Sequence, residues 1–139
     1  MAYVTGEKGV YIQGLMDKSN EEFDKRNLEE SVFLLEQAWG ELPDDKVTCD
    51  ESFLIIWGIL DISILLNDVE RMKKWVDKIF VADPERGDTG ERELWAGKVA
   101  YEVGDFSKAR EYLEIANEKS SGRCFSAEDG KYLKFLKDK

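Results

Sequence analysis

Residues 91–119 read ERELWAGKVAYEVGDFSKAREYLEIANEK, and this stretch decides the fold. Two runs of helical period flank Gly104-Asp105, a pair that ends one helix and opens the next. Gly97 lies on the first run, while Ala109 and Ala116, seven residues apart, share one face of the second. Small side chains at these places let two helices approach closely. A glycine inside a helix costs about 1 kcal/mol relative to alanine, and close backbone packing compensates for it.

The same periodicity extends outward in both directions, with no sustained alternation of the kind a half-buried strand requires. It predicts helices near 10–25, 28–41, 51–66, 69–82, 90–103, 106–120 and 126–137. The breaks carry turn chemistry: Pro43 with Asp44 and Asp45, Asn67-Asp68, Asp83-Pro84 with Gly87 and Gly90, Gly104-Asp105, and Ser120-Ser121-Gly122. Short breaks force antiparallel neighbours, so seven segments pair as three hairpins with one helix left over.

In order along the chain, Gly97, Gly104-Asp105-Phe106, Ala109 and Ala116 resemble the tetratricopeptide repeat. That pattern places a small residue in the first helix, a Gly-Asp-aromatic turn, and two alanines in the second. An earlier unit matches with Arg26-Asn27-Leu28 at the turn, Ser31 and Ala38 at the small positions, and Pro43 closing it. A middle unit has Asn67-Asp68-Val69 at the turn, Met72 and Ile79 where small residues belong, and Pro84 as its closing proline. Ser31, Met72 and Ala109 are spaced by 41 and 37 residues against roughly 34 in the standard repeat, so the connecting loops absorb the excess. The resemblance implies an all-α solenoid in a single domain, 1–139, with repeats over 10–44, 51–84 and 90–120. Segment 126–137, SAEDGKYLKFLK, then becomes the C-terminal capping helix, with Gly130 where proline is expected.

A chain of 139 residues is the size of one ordinary domain, and its 42% apolar and 36% charged residues suit a globular fold with a charged exterior. The longest apolar stretch, 53–66, contains Asp61 and is shorter than the roughly 20 residues a bilayer crossing needs. Residues 1–10 lack the basic and apolar regions of a secretory leader, so the expectation is a cytoplasmic protein without a membrane span. Cys49 and Cys124 are then expected as free thiols. Without histidine, the commonest general base and metal ligand are missing, and no glycine-rich phosphate loop or calcium loop is present. The expectation is therefore no enzyme, no cofactor and no metal. Acids outnumber bases 14 to 5 over residues 1–62 but only 16 to 15 over residues 63–139. The acidic half repels nucleic acid and anionic membranes and speeds encounter with a basic partner. Solubility alone is the plainer reading of the same charge.

In tetratricopeptide stacks the first helices line a concave groove. Carried over by position, its residues are Gln13, Met16, Asn20, Phe23 and Asp24; then Leu54, Trp57, Asp61, Ile64 and Leu65; then Glu91, Leu94, Lys98, Tyr101 and Glu102. Acids among aromatic anchors suit a basic peptide or protein surface. Residues 53–66 are apolar nearly all round, which means a helix sandwiched on two sides or one that exposes an apolar patch, with Trp57 and Ile64 as the surplus. Asp61 is the one charge in that run, and it serves either a partner's lysine or arginine or an internal pair, with Lys98 as the candidate. Trp39, Trp75, Trp95, Tyr112 and Phe125 read as packing between helices. The function expected is protein binding, with masking of one basic partner in the manner of immunity proteins that block nuclease-type toxins. The alternative is a chaperone that holds client peptides transiently.

Overall fold

Each of the three expected turns folds in the same way. A computed structural model describes residues 3–43, 46, 49–82 and 89–138. At the turns, Arg26, Asn67 and Gly104 take positive φ angles of 65°, 56° and 89°. The residue after each sends its N–H back five positions: Asn27 to Glu22, Asp68 to Ser63 and Asp105 to Ala100, at 2.8–2.9 Å. The turn residue itself donates three positions back, Arg26 to Phe23, Asn67 to Ile64 and Gly104 to Tyr101. This pair of hydrogen bonds makes the left-handed C-cap that satisfies carbonyls orphaned at a helix end. Glycine adopts it freely and asparagine readily, whereas Arg26 holds it against a local steric cost of about 1 kcal/mol. Asp68 and Asp105 then cap the following helices by accepting the N–H of Arg71 (3.1 Å) and Lys108 (3.2 Å).

The chain is all-helical. Among the described residues, α1 spans Gly6–Asp24, α2 Leu28–Glu41, α3 Glu51–Leu65, α4 Val69–Val76, α5 Glu91–Glu102, α6 Phe106–Ser120 and α7 Gly130–Lys137. Two expectations shift. The segment expected over 69–82 stops as an α-helix after Val76 and tightens into a 3-10 turn, Asp77–Phe80. The last helix likewise opens with a 3-10 turn, Ala127–Asp129, before Gly130 continues it with ordinary helical φ. Pro43 follows Leu42, whose extended backbone ends α2 as a residue before proline should. Asp44, Asp45, Asp83, Pro84 and Gly87, read above as turn residues, lie outside the described residues. The chain divides into two compact units, residues 1–84 and 85–139.

In the first unit α1 pairs with α2, and α3 packs against both α2 and α4. The α1–α2 crossing is held by two serines: Ser19 Oγ donates to the Ser31 carbonyl and Ser31 Oγ to the Ser19 carbonyl, each at 2.8 Å and fully out of solvent. Ser31 is small because Ser19 lies directly against it. Phe53, Ile55, Ile56, Ile59 and Leu60 of α3 are completely buried, each contributing roughly 1.5–3 kcal/mol. Gly58 leaves room for α2, since a Cβ there would lie 2.7 Å from a Leu35 methyl.

In the second unit α5 and α6 meet at Gly97. A Cβ on Gly97 would fall 2.7 Å from Leu113 Cγ and 3.2 Å from the Leu113 backbone nitrogen, which is the close approach the sequence calls for. The segment leading into α7 and α7 itself then cover α5 and α6. Rings of Tyr132, Phe135 and Phe106 surround Tyr101 at 5.2–5.5 Å between centroids. Arg110 lies over the Phe135 ring and donates to the last carbonyls of α7, Phe135 (2.9 Å), Leu136 (3.1 Å) and Asp138 (2.7 Å). A cation at a helix C-terminus satisfies both its orphan carbonyls and its dipole.

Candidate functional site

The groove positions fall into three sets, one on each first helix. On α1, Gln13, Asn20 and Asp24 are exposed, while Met16 and Phe23 are half-buried. Gln13 donates to Asp17 (2.9 Å), and the Arg26 guanidinium stands 5.7 Å from the centre of the Phe23 ring.

On α3 the outward positions follow from the helix period. Leu54, Trp57, Asp61, Ile64 and Leu65 form a stripe three and four residues apart, and these side chains, with Gly58 beside them, are the part of this buried helix that retains exposure. Trp57 is 41% exposed and Leu65 54%, while Leu54, Asp61 and Ile64 are half-buried. Asp61 has a partner within the chain. The stripe offers a carboxylate in the midst of apolar area, a combination that can cover an aliphatic side chain and hold a cation.

On α5 the corresponding positions are committed to the end of the chain. Lys98, 8% exposed, forms a 2.5 Å ion pair with buried Asp129, and its ammonium lies 4.2 Å from the Trp95 ring centre and 5.5 Å from that of Tyr132. The other oxygen of Asp129 accepts the N–H (2.8 Å) and hydroxyl (3.2 Å) of Ser126. Glu102 accepts the Tyr132 hydroxyl at 2.8 Å and pairs with Lys131. Burial, together with the Glu102 hydrogen bond and charge, pushes the Tyr132 phenol far above its ordinary range. Glu91 is half-buried and Leu94 buried.

No family model, no curated protein and no solved structure matches this chain. Among the described residues no group of three or more Cys, Asp or Glu is placed to hold a metal ion, and no helix is long and apolar enough to cross a membrane. Cys49 and Cys124 are unbridged thiols.

A further feature lies in the first unit, on the second helices. Phe33, Glu36, Gln37 and Trp39 of α2, with Lys74, Trp75 and Lys78 after the turn, line an open trough of about 520 Å³. Trp39 and Trp75 meet edge to face, 5.6 Å apart at 90°. Phe33 was recoverable from the sequence, because residues 32–35 are four consecutive apolar residues in a helix and cannot all face one core. Phe33 is the one turned out, 52% exposed.

Proposed function

We propose that this chain is a helical-repeat protein of the tetratricopeptide type, three hairpins in a solenoid closed by α7, and that its activity is to hold one protein partner. The observation that carries this reading is the threefold recurrence of one turn geometry at Arg26, Asn67 and Gly104. Around each turn the packing positions keep their register: Ser19, Leu60 and Gly97 before it, Ser31, Met72 and Ala109 after it. Chains built by repeating one hairpin bury some faces on neighbouring hairpins and leave others for partners.

The contact face assigned here belongs to α1 and α3. Trp57, Ile64 and Leu65 provide apolar area, Asp24 and Asp61 carboxylates, and Gln13 and Asn20 amides. Lys98, Tyr101 and Glu102 serve instead to seat the end of the chain. Carboxylates beside an exposed indole select a basic protein surface, and masking that surface is the simplest activity such binding can have. Immobilised wild-type chain and its Trp57→Ala variant, exposed to the same host extract, test this. A protein with a basic surface retained by the first and lost by the second is the expected result. Retention that ignores the substitution refutes the assigned face.

A further inference from the structure

The trough between α2 and α4 lies outside the face assigned above, and its chemistry is different. Its floor is the right-angled corner of Trp39 and Trp75, with Phe33 standing beside it. Its one carboxylate, Glu36, is already committed, accepting from the Arg71 guanidinium at 2.8 Å and from the Trp75 indole N–H at 3.1 Å. The rim charge left over is therefore positive. Lys74 and Lys78, one helical turn apart, hold their ammonium groups 5.6 Å and 5.2 Å from the Trp75 ring centre, with no carboxylate partner among the described residues. The residues that line the trough thus carry two uncommitted cations against one committed carboxylate, although the whole chain has a net charge of -10.

We propose that this trough docks an acidic peptide segment bearing one aromatic or large aliphatic side chain. That side chain enters the corner of Trp39 and Trp75, and carboxylates beside it meet Lys74 and Lys78. An aromatic corner rimmed by two cations recognises an apolar anchor next to an anion. Nucleic acid would need a longer track of cations and several stacking platforms. The chain would then have two contact faces of opposite preference, a basic partner on α1 and α3 and an acidic one on α2 and α4.

The test is fluorescence anisotropy of a dye-labelled peptide of about twelve residues, Glu- and Asp-rich with a central Phe-Leu, titrated with the full chain. The expected result is saturable binding that weakens about tenfold on replacing Phe-Leu by Ser-Ser, about tenfold in Lys74→Glu, and further in Lys74→Glu/Lys78→Gln. Asp61→Asn should leave it unchanged, which separates this site from the α3 face. Lys74 is exposed, so Lys74→Glu keeps the fold, and an unaltered circular dichroism spectrum verifies it. The proposal is overturned if a Lys-rich version of the peptide binds as well, if Lys74→Glu binds like wild type, or if a single-stranded oligonucleotide competes equally. It is also overturned if sedimentation shows a wild-type dimer that Phe33→Asp dissociates, since a second copy would then fill the trough.

Discussion

The helices α3 and α5 hold equivalent places in their hairpins and have opposite fates. Position for position, Trp57, Asp61, Ile64 and Leu65 of α3 correspond to Leu94, Lys98, Tyr101 and Glu102 of α5. Trp57 and Leu65 stay exposed, whereas Leu94 and Lys98 are buried and Tyr101 is ringed by Tyr132, Phe135 and Phe106. The difference lies in what the end of the chain supplies. Asp129 gives Lys98 an anion, and Tyr132 gives Glu102 a donor. A position in the hairpin thus sets the direction a side chain faces, while the contents of the neighbouring segment decide how far it is covered.

The largest way to break this contrast is Asp129→Ala. It strands the Lys98 ammonium in a buried site and frees Ser126, and losing one member of a buried pair costs about 3–5 kcal/mol. Urea unfolding should register that loss, and adding Lys98→Met should recover part of it. A cost under about 1 kcal/mol would mean that Lys98 reaches water on its own and that the α5 face is more open than its burial indicates.

Next in size is the contrast between two helical glycines. Gly97→Val drives side-chain atoms into Leu113 and its backbone nitrogen, an overpacking of about 2–3 kcal/mol. Gly58→Ala meets only the end of the flexible Leu35 side chain, and its gain in helix propensity offsets the contact to within about 1 kcal/mol. Equal thermal shifts in the two variants would refute the view that α5 and α6 touch through backbone where α2 and α3 touch through side chains.

Much of this was legible in the residues. Gly104-Asp105 and Asn67-Asp68 mark two turns outright, because a residue tolerant of positive φ stands just before a capping aspartate, whereas Arg26-Asn27 is found only by its place in the repeat pattern. The outward stripe of α3 came from the tetratricopeptide resemblance, since a run that is apolar nearly all round has no polar face to mark it. Two things could not be read. The reciprocal Ser19–Ser31 bond is a pairing across a turn, and twelve residues of separation give no local signal. The sequence offers Asp61 as the candidate partner of Lys98, but Asp129 holds it from the segment leading into α7, a tertiary contact that no periodicity encodes. The early end of α4 also escaped the pattern, since Met72 and Ile79 keep helical spacing straight through the change to a 3-10 turn.

A smaller effect isolates the polar half of the α7 seat. Tyr132→Phe keeps the ring cluster and deletes the hydroxyl given to Glu102, a charge-assisted bond of about 1.5–3 kcal/mol. The pH dependence has a definite sign. The folded state favours the neutral phenol, so the stabilisation is complete below the unfolded tyrosine pKa of about 10 and is lost as pH rises towards the folded value. Wild type should therefore lose stability more steeply than Tyr132→Phe in alkaline buffer, and the Tyr132 ultraviolet ionisation step should coincide with unfolding. Parallel stability curves for the two proteins would remove the assigned role of Glu102.

The smallest expected change in stability carries the most for function, and it falls on the open member of the pair. Asp61 is half-buried and has a partner within the chain, and Asp61→Asn keeps the side-chain shape and one acceptor oxygen, so the stability cost is about 1 kcal/mol or less. If the α3 stripe holds a cation of the partner, the same change removes a charge-assisted contact and weakens that complex about tenfold, chiefly through faster dissociation. Melting curves and binding traces of one variant then separate the alternatives. A flat melting curve with lost affinity places Asp61 at the interface, while a collapsed curve with affinity intact makes it a private support of α3. The second outcome would narrow the contrast between α3 and α5, because Asp61 would then turn inward as Lys98 and Glu102 do.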